Sequence, residues 1–266
     1  MPAWSLPPGE ATAIETDAAW RGIVTRDWAF GGSRGEVDVC VVDSGVDPAH
    51  PLVAPLASAV AVVREGDEVS VVDDELGDVC GHGTACAGIV RSIAPDCRLH
   101  SVRVLGAGAT GAADLILAGL RHAIEAGHRV ISLSLSTTKR RFAEELHELT
   151  DDAYFHRTIL VASAHNLPVD SYPWRFSSVI SVGSHEEDDS LAFFYNPNPP
   201  VEFFGRGVNV DVPWLGGRSL KVSGNSFATP HLSAICALIL AKHPELTPFQ
   251  LKSVLYLTAT NVGGGK

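Results

Sequence analysis

The feature that most constrains this chain is a regular alternation of short Val/Ile/Leu-rich runs with stretches of helical spacing. "EVDVCVVDSG" (Glu36–Gly45), "LHSVRVLG" (Leu99–Gly106), "HRVISLSLS" (His128–Ser136), "TILVASAHN" (Thr158–Asn166) and "SVISVGS" (Ser178–Ser184) read as strands. Continuous β-branched runs of this length suit strands covered on both faces. Between them, "ADLILAGLRHAIEAG" (Ala113–Gly127) and "RFAEELHELTDDAYFH" (Arg141–His156) place apolar residues at helical intervals with an acidic residue early in each, as the helix dipole favours. Parallel strands need crossover helices, so the expected fold is α/β, a three-layer α/β/α sandwich around a central, mostly parallel sheet. With 266 residues, 45% of them hydrophobic, the chain can bury one substantial core. One domain over 22–266 is expected, preceded by a segment, 1–21, too short to fold alone.

Ligands of such sheets sit at the carboxyl ends of the strands, which directs attention to the loops there. In "VVDSGVDPAHP", Asp43 closes a buried run just before Gly45, either as an Asx turn or as a functional carboxylate. In "GHGTACAGIV", His82 stands between two glycines at the start of an apolar helical run. In "KVSGNSFATPH", Ser226 precedes a helical stretch from Phe227 to Lys242, where serine is a favoured N-cap. A nucleophilic serine needs a base, and that base needs an orienting group. Asp43, His82 and Ser226 together supply that set.

With "DSG", "GHGTACAG" and "GNSFATPH" in this order, and with "SVRVLGAGATG" and "YPWRFSSVISVGS" between them, the chain resembles the subtilisin-like serine proteases, the subtilases. The resemblance runs from about Gly22 to Val262. It implies a subtilisin-like fold and a serine endopeptidase in which Ser226 attacks the scissile carbonyl, His82 is general base and acid, and Asp43 orients the imidazole. Asn166 matches the family's oxyanion asparagine, with the Ser226 backbone N–H as second donor. Ser134, Leu135 and Ser136 match the segment that pairs with an extended peptide substrate, and Gly108 and Gly111 lie on the opposite edge. Ala164, His165 and Leu167 match the surroundings of the primary specificity pocket. Several residues depart from the usual pattern: Asn225 and Phe227 flank the serine, His165 replaces a glycine, Ser136 replaces a glycine, and Leu167 makes an apolar pocket the expectation. Two other readings share the cleft: a peptide ligase or macrocyclase using the same acyl-enzyme, and a catalytically silent peptide-binding module.

Cys80, His82, Cys86 and Cys97 bring thiols and an imidazole close in sequence, but the spacing is not that of a paired-CxxC zinc site. No metal and no cofactor are expected. The acidic run from Asp67 to Asp78 could gather cations, though such runs are usually a solvated loop or hairpin face. The loop that holds calcium in many family members looks deleted, since "GIVRSIAPDC" runs straight toward the next strand.

Composition narrows the partners. With 31 acidic against 20 basic residues and a formal charge of −11, a nucleic-acid partner is not expected. No apolar run reaches membrane-spanning length, so no membrane partner is expected. The first residues, "MPAWSLPPGEATAIE", lack the basic and apolar regions of a signal peptide. Five cysteines, an odd number, fit reduced thiols. These features make a cytoplasmic processing peptidase the expectation.

Overall fold

The computed structural model of the chain describes residues 1–15, 22–108 and 111–263. A nine-stranded sheet runs in the order β3-β2-β4-β1-β5-β6-β7-β9-β8. Its centre is β1 (Asp38–Asp43), β4 (Arg98–Arg103), β5 (Val130–Leu133), β6 (Ile159–Ser163) and β7 (Ile180–His185). These five are the strands expected from sequence, and neighbours among them pair in parallel. β2 (Ser58–Glu65) and β9 (Phe203–Arg206) extend the parallel array, while β3 (Glu68–Asp73) and β8 (Phe194–Tyr195) close its two edges antiparallel. β10 (Val210–Trp214) and β11 (Arg218–Val222) form a separate hairpin.

The helices, in chain order, are α1 (Arg26–Phe30), α2 (His82–Ile93), α3 (Ala113–Glu125), α4 (Ala143–Phe155), α5 (Asn225–Lys242) and α6 (Pro248–Thr258). Strand pleating distributes side chains between two cores. Val39, Val41, Ile159, Val161 and Val182 face α2, α5 and α6. Cys40, Val42, Ile131, Leu133, Leu160 and Ala162 face α3 and α4. This alternation makes the molecule three layers deep, as expected. Helix α5 is buried on nearly every side, which explains why its sequence is apolar all round.

The N-terminal segment is tied to this body. Ala3 N donates to Asn166 O at 2.8 Å, Leu6 N to Ser184 O at 2.8 Å, and Ile14 pairs with Val262. Trp4 packs against Trp174 with ring centroids 5.9 Å apart. Residue 21, beside the expected domain boundary, lies outside the described residues.

Candidate active site

Asp43 is the last residue of β1 and is fully buried. Its carboxylate accepts the Ser44 amide at 2.8 Å and faces Nδ1 of His82 with both oxygens, at 2.8 and 2.9 Å. His82 is the first residue of α2, after Gly81, whose φ of 97° is a conformation that favours glycine. The helix comes this close to β1 because the next residue is also glycine. A Cβ on Gly83 would lie 2.0 Å from the carbonyl oxygen of Gly45.

Burial is the largest single influence on His82 and opposes its protonation, but the Asp43 carboxylate and, to a lesser degree, Cys86 together hold the imidazole pKa well above the ordinary histidine range. Cys86 lies beneath the pair, with Sγ 3.9 Å from both Asp43 Oδ2 and His82 Nδ1. Burial pushes its thiol upward, so it packs there as a neutral group. The Phe227 ring covers the imidazole, centroid to centroid 5.1 Å.

Ser226 is not the N-cap. Gly224 holds that position, the helix begins at Asn225, and Ser226 is its second residue. Its N–H makes no hydrogen bond among the described residues, as expected in a first helical turn. Pro230 lies inside this helix and deprives the Ser226 carbonyl of its i+4 donor. Ser134 Oγ takes over, donating to Ser226 O at 2.8 Å, with Cys86 Sγ at 3.6 Å from the same oxygen. Ser134 thus braces the nucleophile turn from behind. Its side chain is buried and engaged with the nucleophile turn.

Asn166 follows β6 and is fixed by its side-chain oxygen, which accepts the backbone N–H of Asn225 at 2.9 Å. That bond leaves Nδ2 and its two hydrogens for the cleft. A Cβ on Gly224 would lie 3.3 Å from Ser226 Oγ and 3.6 Å from Asn166 Nδ2, so the nucleophile and the amide donor flank one bare glycine. Asn225 itself is buried, accepting Ser184 Oγ at 2.7 Å and donating to Ala3 O at 2.8 Å and Ala164 O at 3.2 Å.

The remaining candidates divide by accessibility. Leu135 and Ser136 are half-buried beyond the end of β5, and the next residue, Thr137, is bridged to Tyr172. Gly108 and Gly111 are exposed, while Ala109 and Thr110 between them lie outside the described residues. Ala113, at the end of that edge, is buried as the first residue of α3. Ala164 is buried, His165 turns back to accept the Leu167 amide at Nδ1, and Leu167 is 61% exposed.

Sequence reasoning missed Asp78. It belongs to the acidic run read as a solvated face, yet it is buried and caps the histidine turn. Oδ1 accepts from Ser44 Oγ, Cys80 N and Gly81 N at 2.8, 3.0 and 2.7 Å, and Oδ2 accepts from Thr84 N and Oγ1 at 2.8 and 2.6 Å. Ser44 Oγ in turn accepts Gly83 N at 3.0 Å, so this network locks the loop of Asp43 to the turn of His82. Asp74, from the same run, is paired with Arg103. Asp67, Glu68, Asp73 and Glu75 are exposed around the β2–β3 hairpin, as the bland reading of the run holds. One signal was available: an aspartate three residues before a glycine that opens a helix.

Comparison with known proteins agrees with this geometry. The subtilase family model matches residues 34–266. The chain is 30% identical to the minor extracellular protease Epr of Bacillus subtilis (strain 168) over 90% of this chain and 37% of that one. It is 29% identical to subtilisin DY of Bacillus licheniformis, covering 88% of each, and 29% identical to subtilisin Savinase of Lederbergia lenta, covering 85% and 84%. A solved lanthipeptide protease superimposes with a TM-score of 0.68 at 22% identity, over 84% of this chain and 80% of that one. No helix among the described residues is long and apolar enough to cross a membrane. The chain belongs to the subtilase family and is a subtilisin-like serine endopeptidase.

Proposed function

We propose that Ser226, His82, Asp43 and Asn166 carry out peptide hydrolysis through an acyl-enzyme, and that the chain is an intracellular processing peptidase acting on a precursor or partner protein. The observation that carries the mechanism is His82 Nδ1 held by both oxygens of a buried Asp43. That contact commits Nδ1 to the carboxylate and leaves Nε2 as the base. Ser226 Oγ adds to the scissile carbonyl as His82 takes its proton. The tetrahedral oxyanion is met by Asn166 Nδ2 and the Ser226 N–H, reinforced by the N-terminal end of α5. His82 then returns the proton to the leaving amine, and water repeats the sequence in reverse on the ester. Asp43 stays ionised and stabilises the imidazolium.

Exposed Leu167 beside buried Ala164 supports a preference for an apolar side chain before the scissile bond. The five cysteines, all free, support work in a reducing compartment. The fold shared with a lanthipeptide protease makes modified precursor peptides one substrate class to try. Labelling with a fluorophosphonate, followed by mass analysis, tests the mechanism: modification is expected at Ser226 and is lost in His82→Ala. Labelling elsewhere, or none, would refute it. Product masses from a precursor peptide separate hydrolysis from transfer to an amine.

A further inference from the structure

A second group of ligating side chains lies at the end of the sheet away from the active site. Asp38 opens β1, His100 is on β4 beside it, and His128 precedes β5. Asp38 and Asp43 are the two ends of a six-residue strand, so the sites are separated by about 17 Å at roughly 3.3 Å per residue. Asp38, His100 and His128 each offer a ligand atom, and these atoms all lie within 4.8 Å of one another.

The connections of this group differ from those of a simple ion pair. His100 Nε2 is 2.9 Å from Asp38 Oδ1, and its Nδ1 is 2.8 Å from Ser58 Oγ. Asp38 also accepts from Arg98, whose side chain is largely exposed. His128 is only 7% exposed, and its ring makes no hydrogen bond among the described residues. It lies against the His100 ring, centroids 4.2 Å apart. Its backbone is clamped on both sides, N–H to Ala123 O and carbonyl from Thr158 Oγ1 at 3.0 Å. Its ring nitrogens have no partner among the described residues but keep contact with solvent, so a lone pair is open to an outside ligand.

We propose that Asp38, His100 and His128 form a site for a borderline divalent transition metal, with Zn²⁺ as the first candidate. Two imidazoles and a carboxylate are ligands such ions favour, whereas Ca²⁺ requires an oxygen set. The ion takes the place of the proton between His100 Nε2 and Asp38 Oδ1. Nδ1–H of His100 then donates to Ser58 Oγ, the outer contact a ligating histidine needs. Ligand atoms of a tetrahedral zinc lie closer together than 4.8 Å, so side-chain rotation closes the group. Arg98, which now donates to Asp38 Oδ1 from Nε and to Oδ2 from Nη2, gives up Oδ1 to the ion and keeps Oδ2 or turns into solvent. The bound ion would fasten β1, β4 and the start of β5, three strands whose other ends carry the site.

Metal-stripped full-length protein should be titrated with Co²⁺ and Zn²⁺, since Asp43, His82 and Cys86 form a competing cluster that contains a thiol. Cobalt at the proposed site gives visible ligand-field bands without thiolate charge transfer. One such equivalent is expected in the wild type and in Cys86→Ser, lost in both His100→Gln and His128→Gln, with a Zn²⁺-dependent rise in Tm lost in the same two variants. Unchanged stoichiometry in both histidine variants would overturn the proposal. Should those variants not fold, wild-type protein whose only bound cobalt shows the thiolate band, or which binds none at micromolar free metal, would overturn it equally.

Discussion

Asp78→Ala is the substitution whose cost the structure defines best. The carboxylate accepts five hydrogen bonds, four of them buried: Ser44 Oγ, Gly81 N, Thr84 N and Thr84 Oγ1. The two hydroxyls can rotate to other acceptors, and Cys80 N is close enough to solvent to find water. Gly81 N and Thr84 N have no such escape. Each stranded donor costs about 1–3 kcal/mol, giving about 2–6 kcal/mol in total, which is comparable with the whole stability of many domains, about 5–15 kcal/mol. Asp78→Asn keeps one acceptor oxygen. Oriented to serve Ser44 and Gly81, it strands only Thr84 N, so about 1–3 kcal/mol is lost. Urea unfolding measures both, in a Ser226→Ala background so that unfolded chains are not digested. The midpoint should fall while the m-value holds. With Ser226 in place, activity of the folded fraction should also drop, because the turn carrying His82 loses its anchor. An alanine variant no less stable than the asparagine variant, or one destabilised by under about 1 kcal/mol, would refute this accounting.

Ser226→Ala and His82→Ala should each abolish peptide hydrolysis while leaving the circular dichroism spectrum near wild type; undiminished cleavage by Ser226→Ala would sink the mechanism. Asn166→Ala should lower kcat about 100- to 1,000-fold with little change in KM, a magnitude carried over from the corresponding donor of subtilisin. The neutral imidazole is the base, so kcat/KM should fall as pH drops through the raised pKa of His82, with the acid limb above about 6.5. Asp43→Asn should move that limb downward and reduce kcat, because the main group opposing burial is gone. The same shift has a sign for stability: a raised folded pKa contributes fully below about pH 6.5 and is lost as pH rises through the folded value, so the Tm of Ser226→Ala should decline on the alkaline side. In peptide libraries, apolar residues should dominate before the scissile bond, and a profile led by Arg or Lys would overturn that reading of Leu167.

The central strands were legible because burial on both faces leaves a composition signal that needs no partner to recognise. The edges were not. In β3, Ser70–Asp73 are exposed, and β8 has two residues, so neither carries the apolar run that marks an inner strand. The β2–β3 hairpin was hidden by its own charges, since Asp67, Glu68 and Asp73 serve solvent while Asp74 and Asp78 serve the fold. Identical residue types in one run divide this way only once Arg103 and Thr84 are brought beside them.

The same distinction explains which parts of the site could be read. Asp43, His82, Ser226 and Asn166 each end or follow a strand or lie in the first turn of a helix, and their chemistry is stated by residue type. Positioning roles depend on what folding brings near and are silent in sequence. In sequence Ser134 reads only as part of the segment that pairs with a peptide substrate, and nothing ties it to Pro230. Together they form one device. The proline withholds a donor from the Ser226 carbonyl, and the hydroxyl of Ser134, 92 residues away in sequence, supplies it. Helix α5 is therefore secured at its second residue by Ser134, just after β5, while Asn225, its first, is secured by Asn166 in the loop after β6. A nucleophile pinned through its own carbonyl and through its neighbour's amide keeps Oγ in place without using the hydroxyl that must react.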